Sequence, residues 1–162
     1  MSVTVGTQLG PYEITALLCK GGMGEVYRAR DTRLDRTVAI KVLSQELSPT
    51  PEAKTRFERE AKTVAALNHP NIGTSYDIGG HEGADYLLME YLEGESLAQR
   101  LERGAVPLAE ALKIAIQIAD ALEKAHRQKV THRDLKPGAA RSFPRMVSRW
   151  LSLQTISCRG SD

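Results

Sequence analysis

The chain has 162 residues, enough for one ordinary domain with a buried core or for two small lobes, and too many for a miniature scaffold that depends on staples. Its 22 basic and 20 acidic residues leave a net charge of +2, which excludes nucleic-acid or membrane-surface binding through bulk charge. Cys19 and Cys158 show neither metal-ligand spacing nor a disulfide framework, so free thiols in a reducing, cytoplasmic compartment are expected. The start carries no basic segment followed by an apolar run, and no stretch reaches the length of a membrane span. Charge is uneven along the chain: residues 138–162 hold Arg141, Arg145, Arg149 and Arg159 against Asp162 alone, a net +3 that leaves residues 1–137 at −1.

From Tyr12 to Leu18 the residues alternate and favour strand, then run through a glycine-rich turn, Cys19 to Gly24, into a second alternating run, Glu25 to Arg30. Glycines at such a turn let the backbone approach a ligand and aim its amides at phosphate oxygens. A polar turn, Thr32 to Arg36, leads to a third strand, Thr37 to Leu43, apolar except for Thr37 and Lys41. An ammonium within an apolar strand is costly unless paired, so Lys41 needs an acidic partner. Ser48 to Pro51 then opens a helix from about Glu52 to Leu67, whose apolar face carries Phe57, Ala61, Val64 and Leu67, with Glu60 on that same face. Glu60 is therefore the expected partner.

The turn at Asn68 to Asn71 predicts a fourth strand from Ile72 to Ile78, and the glycine-rich Gly79 to Gly83 joins it to a fifth, Ala84 to Glu90. His69 and His81 read as polar loop residues, not ligands. Ser96 to Arg103 predicts a short helix stopped by Gly104. A long helix from Pro107 to about Gln128 follows, with Leu108, Leu112, Ala115, Ala119, Leu122 and a packing His126 along one face. It leads into His132-Arg133-Asp134-Leu135-Lys136-Pro137, which places a carboxylate near a lysine. That pairing suits removal of a hydroxyl proton while phosphate charge is neutralised.

Gly21, Gly24 and Val26, then Val38-Ala39-Ile40-Lys41, then Glu60, then the hexapeptide 132–137, resemble in order the signature set of eukaryotic-type protein kinases. The glycine loop is similar to that of bacterial serine/threonine kinases, and Lys136-Pro137 resembles the serine/threonine rather than the tyrosine class. The resemblance implies an α+β fold: a kinase small lobe and hinge over residues 9–92, with a five-stranded antiparallel sheet and one helix, then the first helices of the large lobe over 93–137. Residues 138–162 form a basic tail without family likeness.

In the roles the family implies, Gly21, Gly22 and Gly24 cover the ATP phosphates, Lys41 holds the α- and β-phosphates, and Glu60 orients Lys41. Leu18, Val26 and Ala39 wall the adenine pocket, Met89 lies behind it, and the backbones of Glu90 and Leu92 bond the base. Asp134 accepts the proton of a protein serine or threonine hydroxyl, and Lys136 neutralises the transferred phosphoryl group. Departures accompany the likeness. Cys19 takes the place of the loop's first glycine, Ala139 stands where the family has a metal-binding asparagine, and no Asp-Phe-Gly follows. A methyl group cannot ligate Mg²⁺. The Mg²⁺ expected for the family thus lacks its ligands here, and an ATP-binding-only or inactive form of a serine/threonine kinase is expected.

The expected partner is a protein substrate or a partner kinase. The alternative reading is a pseudokinase-like binding module without catalysis that engages such a kinase. In the tail, Phe143, Met146, Val147, Trp150 and Leu151 share one helical side and Arg141, Arg145 and Arg149 the other, with Ser142 as cap. That pattern fits membrane contact, a partner, or a patch over the long helix; the preferred reading is an abrupt out-of-frame or truncated ending whose helical pattern is chance.

Overall fold

The computed structural model describes residues 3–21, 24–43, 51–81, 83–132, 135–139 and 141–142. These form two compact units. The first comprises the described residues up to Ala65 together with Ser75–Tyr91, and the second Ala66–Thr74 together with the described residues from Leu92 onward.

In the first unit a short strand β1 (Gln8–Leu9) is followed by β2 (Tyr12–Gly21), β3 (Gly24–Asp31), β4 (Arg36–Val42), helix α1 (Pro51–Ala65), β5 (Ser75–His81) and β6 (Ala84–Glu90). The strands make one antiparallel sheet in the order β1-β2-β3-β4-β6-β5, so the α+β class holds, with the two-residue β1 added to the expected five strands. Period-2 alternation sends one set of side chains to each face. Tyr12, Ile14, Tyr27, Ala29, Val38, Ile40, Val42, Tyr86 and Leu88 build the core on one face, with Leu9 and the partly buried Val3 against them. The Tyr12 and Tyr86 rings meet edge to face at 6.2 Å.

Strand β5 begins three residues later than expected. Ile72 is fully buried, but it belongs to the loop, where its amide donates to the His69 carbonyl at 3.1 Å. The apolar residue that suggests a strand there is a buried turn residue following Pro70. Gly79 also has a packing reason: a Cβ at that position would lie 2.3 Å from the Tyr86 ring.

The second unit contains β7 (Glu95–Ser96), α2 (Leu97–Glu102), α3 (Leu108–Arg127), a 3₁₀ turn (Pro137–Ala139) and β8 (Arg141–Ser142), which pairs antiparallel with β7. Ser96 caps α2 in a reciprocal capping box with Gln99. Ser142 stands in β8 opposite Glu95, not at the head of a helix as its capping role required; the remainder of the tail lies outside the described residues.

The expected face of α3 is corrected. Its buried residues are Ile114, Ala121 and Ala125, with Ile118 partly buried among Leu97 and Val106. Leu108, Leu112 and Ile116 are 76%, 55% and 67% exposed, and His126 is exposed rather than packed. The helix is apolar on two sides, and the described neighbours within its unit take the Ile114 side.

Candidate functional site

Cross-strand register assembles the first part of the site. Val26 of β3 lies opposite Lys41 of β4, and Lys41 lies opposite Leu87 of β6. In the next row on the same face, Arg28 lies opposite Ala39, and Ala39 opposite Met89. Strand pairs of this kind hold their Cβ atoms about 5 Å apart, so Val26, Ala39, Lys41 and Met89, which sequence reasoning nominated separately, share one patch of sheet. This is the face opposite the tyrosine-rich core. Lys41 is only 9% exposed. An ammonium in this apolar patch suits an anionic group brought up to the sheet.

The glycine-rich turn closes the β2–β3 hairpin beside this patch, with Gly21 paired to Gly24. Gly24 has φ +123° and a Cβ there would fall 2.1 Å from the Val42 carbonyl oxygen, so only glycine fits. Gly22 lies outside the described residues. Leu18 sits at an irregularity between the Leu17 and Cys19 pairings and is half-exposed. Cys19 is disulfide-bonded, which corrects the free-thiol expectation for that residue.

Glu60 belongs to α1, one position before the buried Ala61 and four before the buried Val64; its side chain is not among those described. Glu90 ends β6, and Leu92 is a buried residue of the second unit. Asp134 lies outside the described residues. Of the hexapeptide that holds it, His132 is buried at 5% exposure and Lys136 is half-buried. Among the described residues no group of three or more His, Cys, Asp or Glu side chains could hold a metal ion. A cleft of about 490 Å³ lies between α1 and β5–β6, lined by Glu58, Lys62, Tyr76, Asp77 and Leu87 among others; Leu87 stands opposite Lys41, but Val26, Ala39, Lys41 and Met89 do not line it.

Two polar clusters escaped the sequence reading. In the second unit, His69 Nε2 lies 3.1 Å from Asp120 Oδ2, Asn71 Nδ2 donates to the same oxygen at 3.3 Å, and the Asn71 amide donates to His69 Nδ1 at 3.1 Å. His69 is thus a loop residue, as expected, but one that holds its turn to α3. In the first unit, Lys20 and Glu25 flank the glycine turn as cross-strand partners 2.7 Å apart. Lys20 first and the Tyr27 hydroxyl second hold the Glu25 carboxyl below the usual carboxylate range. Burial, aided by Glu25, pushes the Tyr27 phenol well above its ordinary value.

The Glu25 shift has a definite sign. A carboxyl depressed in the folded state contributes stability above its unfolded pKa and loses it as pH falls through the folded value. The melting temperature of the wild type, relative to Glu25→Gln, is therefore expected to hold steady near neutrality and to fall below about pH 4.5, the ordinary value of the carboxyl. A difference that grows towards lower pH in that range would contradict it.

The protein kinase domain model matches residues 12–139. The chain is 44% identical over 134 residues to the serine/threonine-protein kinase PknE of Mycobacterium bovis, covering 82% of this chain and 24% of that protein. It is 41% identical over 135 residues to a probable serine/threonine-protein kinase of Clostridium perfringens, covering 82% of this chain and 20% of the relative. Among solved structures, a cysteine-to-alanine mutant of the Mycobacterium tuberculosis PknI kinase domain superposes with a TM-score of 0.80 at 28% identity, covering 96% of this chain and 64% of that one. The fold is that of a protein kinase. The chain belongs to the protein kinase family, with serine/threonine kinases as its relatives, and it corresponds to the N-terminal portion of their kinase domain. It spans about a quarter or less of the length of these curated relatives.

Proposed function

We propose that these residues are the nucleotide-binding part of a serine/threonine protein kinase, and that this chain by itself binds ATP without transferring phosphate at an appreciable rate. The observation that carries the reading is the register placing Val26, Ala39, Lys41 and Met89 on one sheet face beside a hairpin end where only glycine fits. Bound ATP would supply the phosphoryl group. Lys41 would hold the α- and β-phosphates with Glu60 orienting it, Gly21, Gly22 and Gly24 would cover them, and Leu18, Val26 and Ala39 would enclose the adenine. Met89 would lie behind the base, and the backbones of Glu90 and Leu92 would bond to it. Asp134 would take the hydroxyl proton of the protein substrate and Lys136 would neutralise the moving charge. Transfers of this kind depend on positioning and electrostatics.

The residues fit the nucleotide but not the metal. Ala139 offers a methyl group where the family has a metal-binding side chain, and the 162 residues include no Asp-Phe-Gly. No step is therefore routed through Mg²⁺. A protein that draws on ATP works where ATP is abundant, so a cytoplasmic location belongs to the same proposal.

A thermal-shift titration tests it. At ATP a hundredfold above Kd the wild type is expected to gain about 2.7 kcal/mol of apparent stability, and Lys41→Met to remain folded and gain almost none. Equal shifts in both proteins would sink the nucleotide reading. Mg²⁺-dependent phosphotransfer abolished by Asp134→Asn would instead show the chain to be an active enzyme. A second reading, a non-catalytic module that engages a partner kinase, is favoured by the exposed stripe of Leu108, Leu112 and Ile116. It requires a complex of defined stoichiometry that Leu112→Lys disrupts.

A further inference from the structure

The Tyr27 hydroxyl donates to the Val3 carbonyl at 2.8 Å and also meets a Glu25 carboxylate oxygen. It has one proton and two acceptors. Val3 belongs to an N-terminal segment tied down by further bonds: the Gly6 amide donates to the Ile14 carbonyl at 2.8 Å and the Ile14 amide to the Thr7 carbonyl at 3.0 Å, next to β1. Glu25 in turn is held by Lys20 across the hairpin, one residue pair inside Gly21 and Gly24. A continuous polar chain thus runs from the first described residue to the base of the glycine turn. Glu25 and Tyr27 point to one face of β3, and Val26 between them points to the other, where it lies opposite Lys41.

We propose that Tyr27, Glu25 and Lys20 act as positioning residues that link the N-terminal segment, residues 3–9, to the glycine hairpin, so that docking of this segment sets the hairpin's register and the nucleotide affinity of the face beneath it. This rests on the nucleotide-binding reading for its affinity half and on the hydrogen bonds alone for its linkage half. The shared proton is what couples the two ends. Removing the hydroxyl frees the Val3 carbonyl and leaves Glu25 to Lys20 alone. Reversing either charge places like charges opposite each other beside the turn.

Hydrogen exchange on the full chain without nucleotide tests the linkage, and titration with a fluorescent ADP analogue tests the consequence. Tyr27→Phe is expected to speed exchange at the Gly6 and Ile14 amides and at residues 24–27 together, by about two- to tenfold. Lys20→Glu and Glu25→Lys should each raise the Kd of the analogue by a similar factor, about two- to fivefold, and the double reversal should restore it. A merely structural role would lower the melting temperature without this charge-specific rescue. Faster exchange at only one of the two segments, or unchanged Kd in both reversals, overturns the proposal. Coupled exchange in a wild type that binds no analogue upholds the linkage and overturns both the affinity half and the nucleotide-binding reading.

Discussion

Gly24→Ala is expected to destabilise the first unit by about 3 to 5 kcal/mol, since a strained backbone angle and a forced contact add. At φ +123° the residue occupies a region that side chains rarely adopt, and the added methyl would lie 2.1 Å from the Val42 carbonyl oxygen. That oxygen belongs to backbone at the end of β4, so no side-chain rotation relieves the contact. Either the β2–β3 hairpin lifts from β4 or β4 itself bends, and both distort the row that holds Val26 and Lys41. A fall in melting temperature of roughly 10 °C or more should follow, together with loss of the ATP-induced shift that the proposed function expects. Gly10→Ala is the control, because Gly10 has φ +60° with nothing within 4 Å of its Cβ position, so strain alone acts. Its cost should be about 1 to 2 kcal/mol. Equal costs at the two positions would show that the contact with Val42 relaxes freely.

Gly24 also illustrates what could be read from residues alone. Its place in a glycine-rich turn before a strand marked it as a phosphate-loop glycine, which is a statement about local backbone freedom. Its approach to Val42 depends on the pairing of β3 with β4 and was not legible. The same division runs through the chain. Lys41 within an apolar run was legible because strand alternation is local, and the register of β4 with its two neighbours then places Val26, Ala39 and Met89 around it. Helix α3 was legible as a helix but not in its orientation. Leu108, Leu112 and Ile116 form as good an apolar stripe as Ile114, Ile118, Ala121 and Ala125, and only the position of Leu97 and Val106 decides which is buried. The pairing of His69 with Asp120 spans 51 positions and leaves no periodic trace. Ile72 misled for a related reason: burial in a turn and burial in a strand look the same in a short apolar run.

Asp31 was passed over at the end of a strand, yet its removal is expected to be among the most damaging single changes outside the sheet face that carries Lys41. The side chain is 1% exposed. Its Oδ1 accepts the amides of Arg33 at 3.1 Å and Leu34 at 3.3 Å, which shapes the turn between β3 and β4. Its Oδ2 lies 3.5 Å from Arg36 Nε, and the Arg36 guanidinium stacks over the Tyr76 ring of β5 at 4.2 Å. The carboxylate therefore holds both the turn and a cation that bridges towards β5. Asp31→Ala should cost about 2 to 4 kcal/mol, from two lost amide bonds and an arginine left with a poorer partner. Among the described residues the Arg36 Nε has no hydrogen-bond partner, so its attraction to Asp31 is one of charge, and Arg36 is partly exposed to water. The turn-shaping bonds should then dominate. Asp31→Asn keeps an oxygen for the two amides and should lose only about 1 kcal/mol. Urea midpoints at constant m-value separate the two variants; equal losses would place the stabilisation in the ion pair, and no loss in either would show that water replaces the carboxylate at this turn.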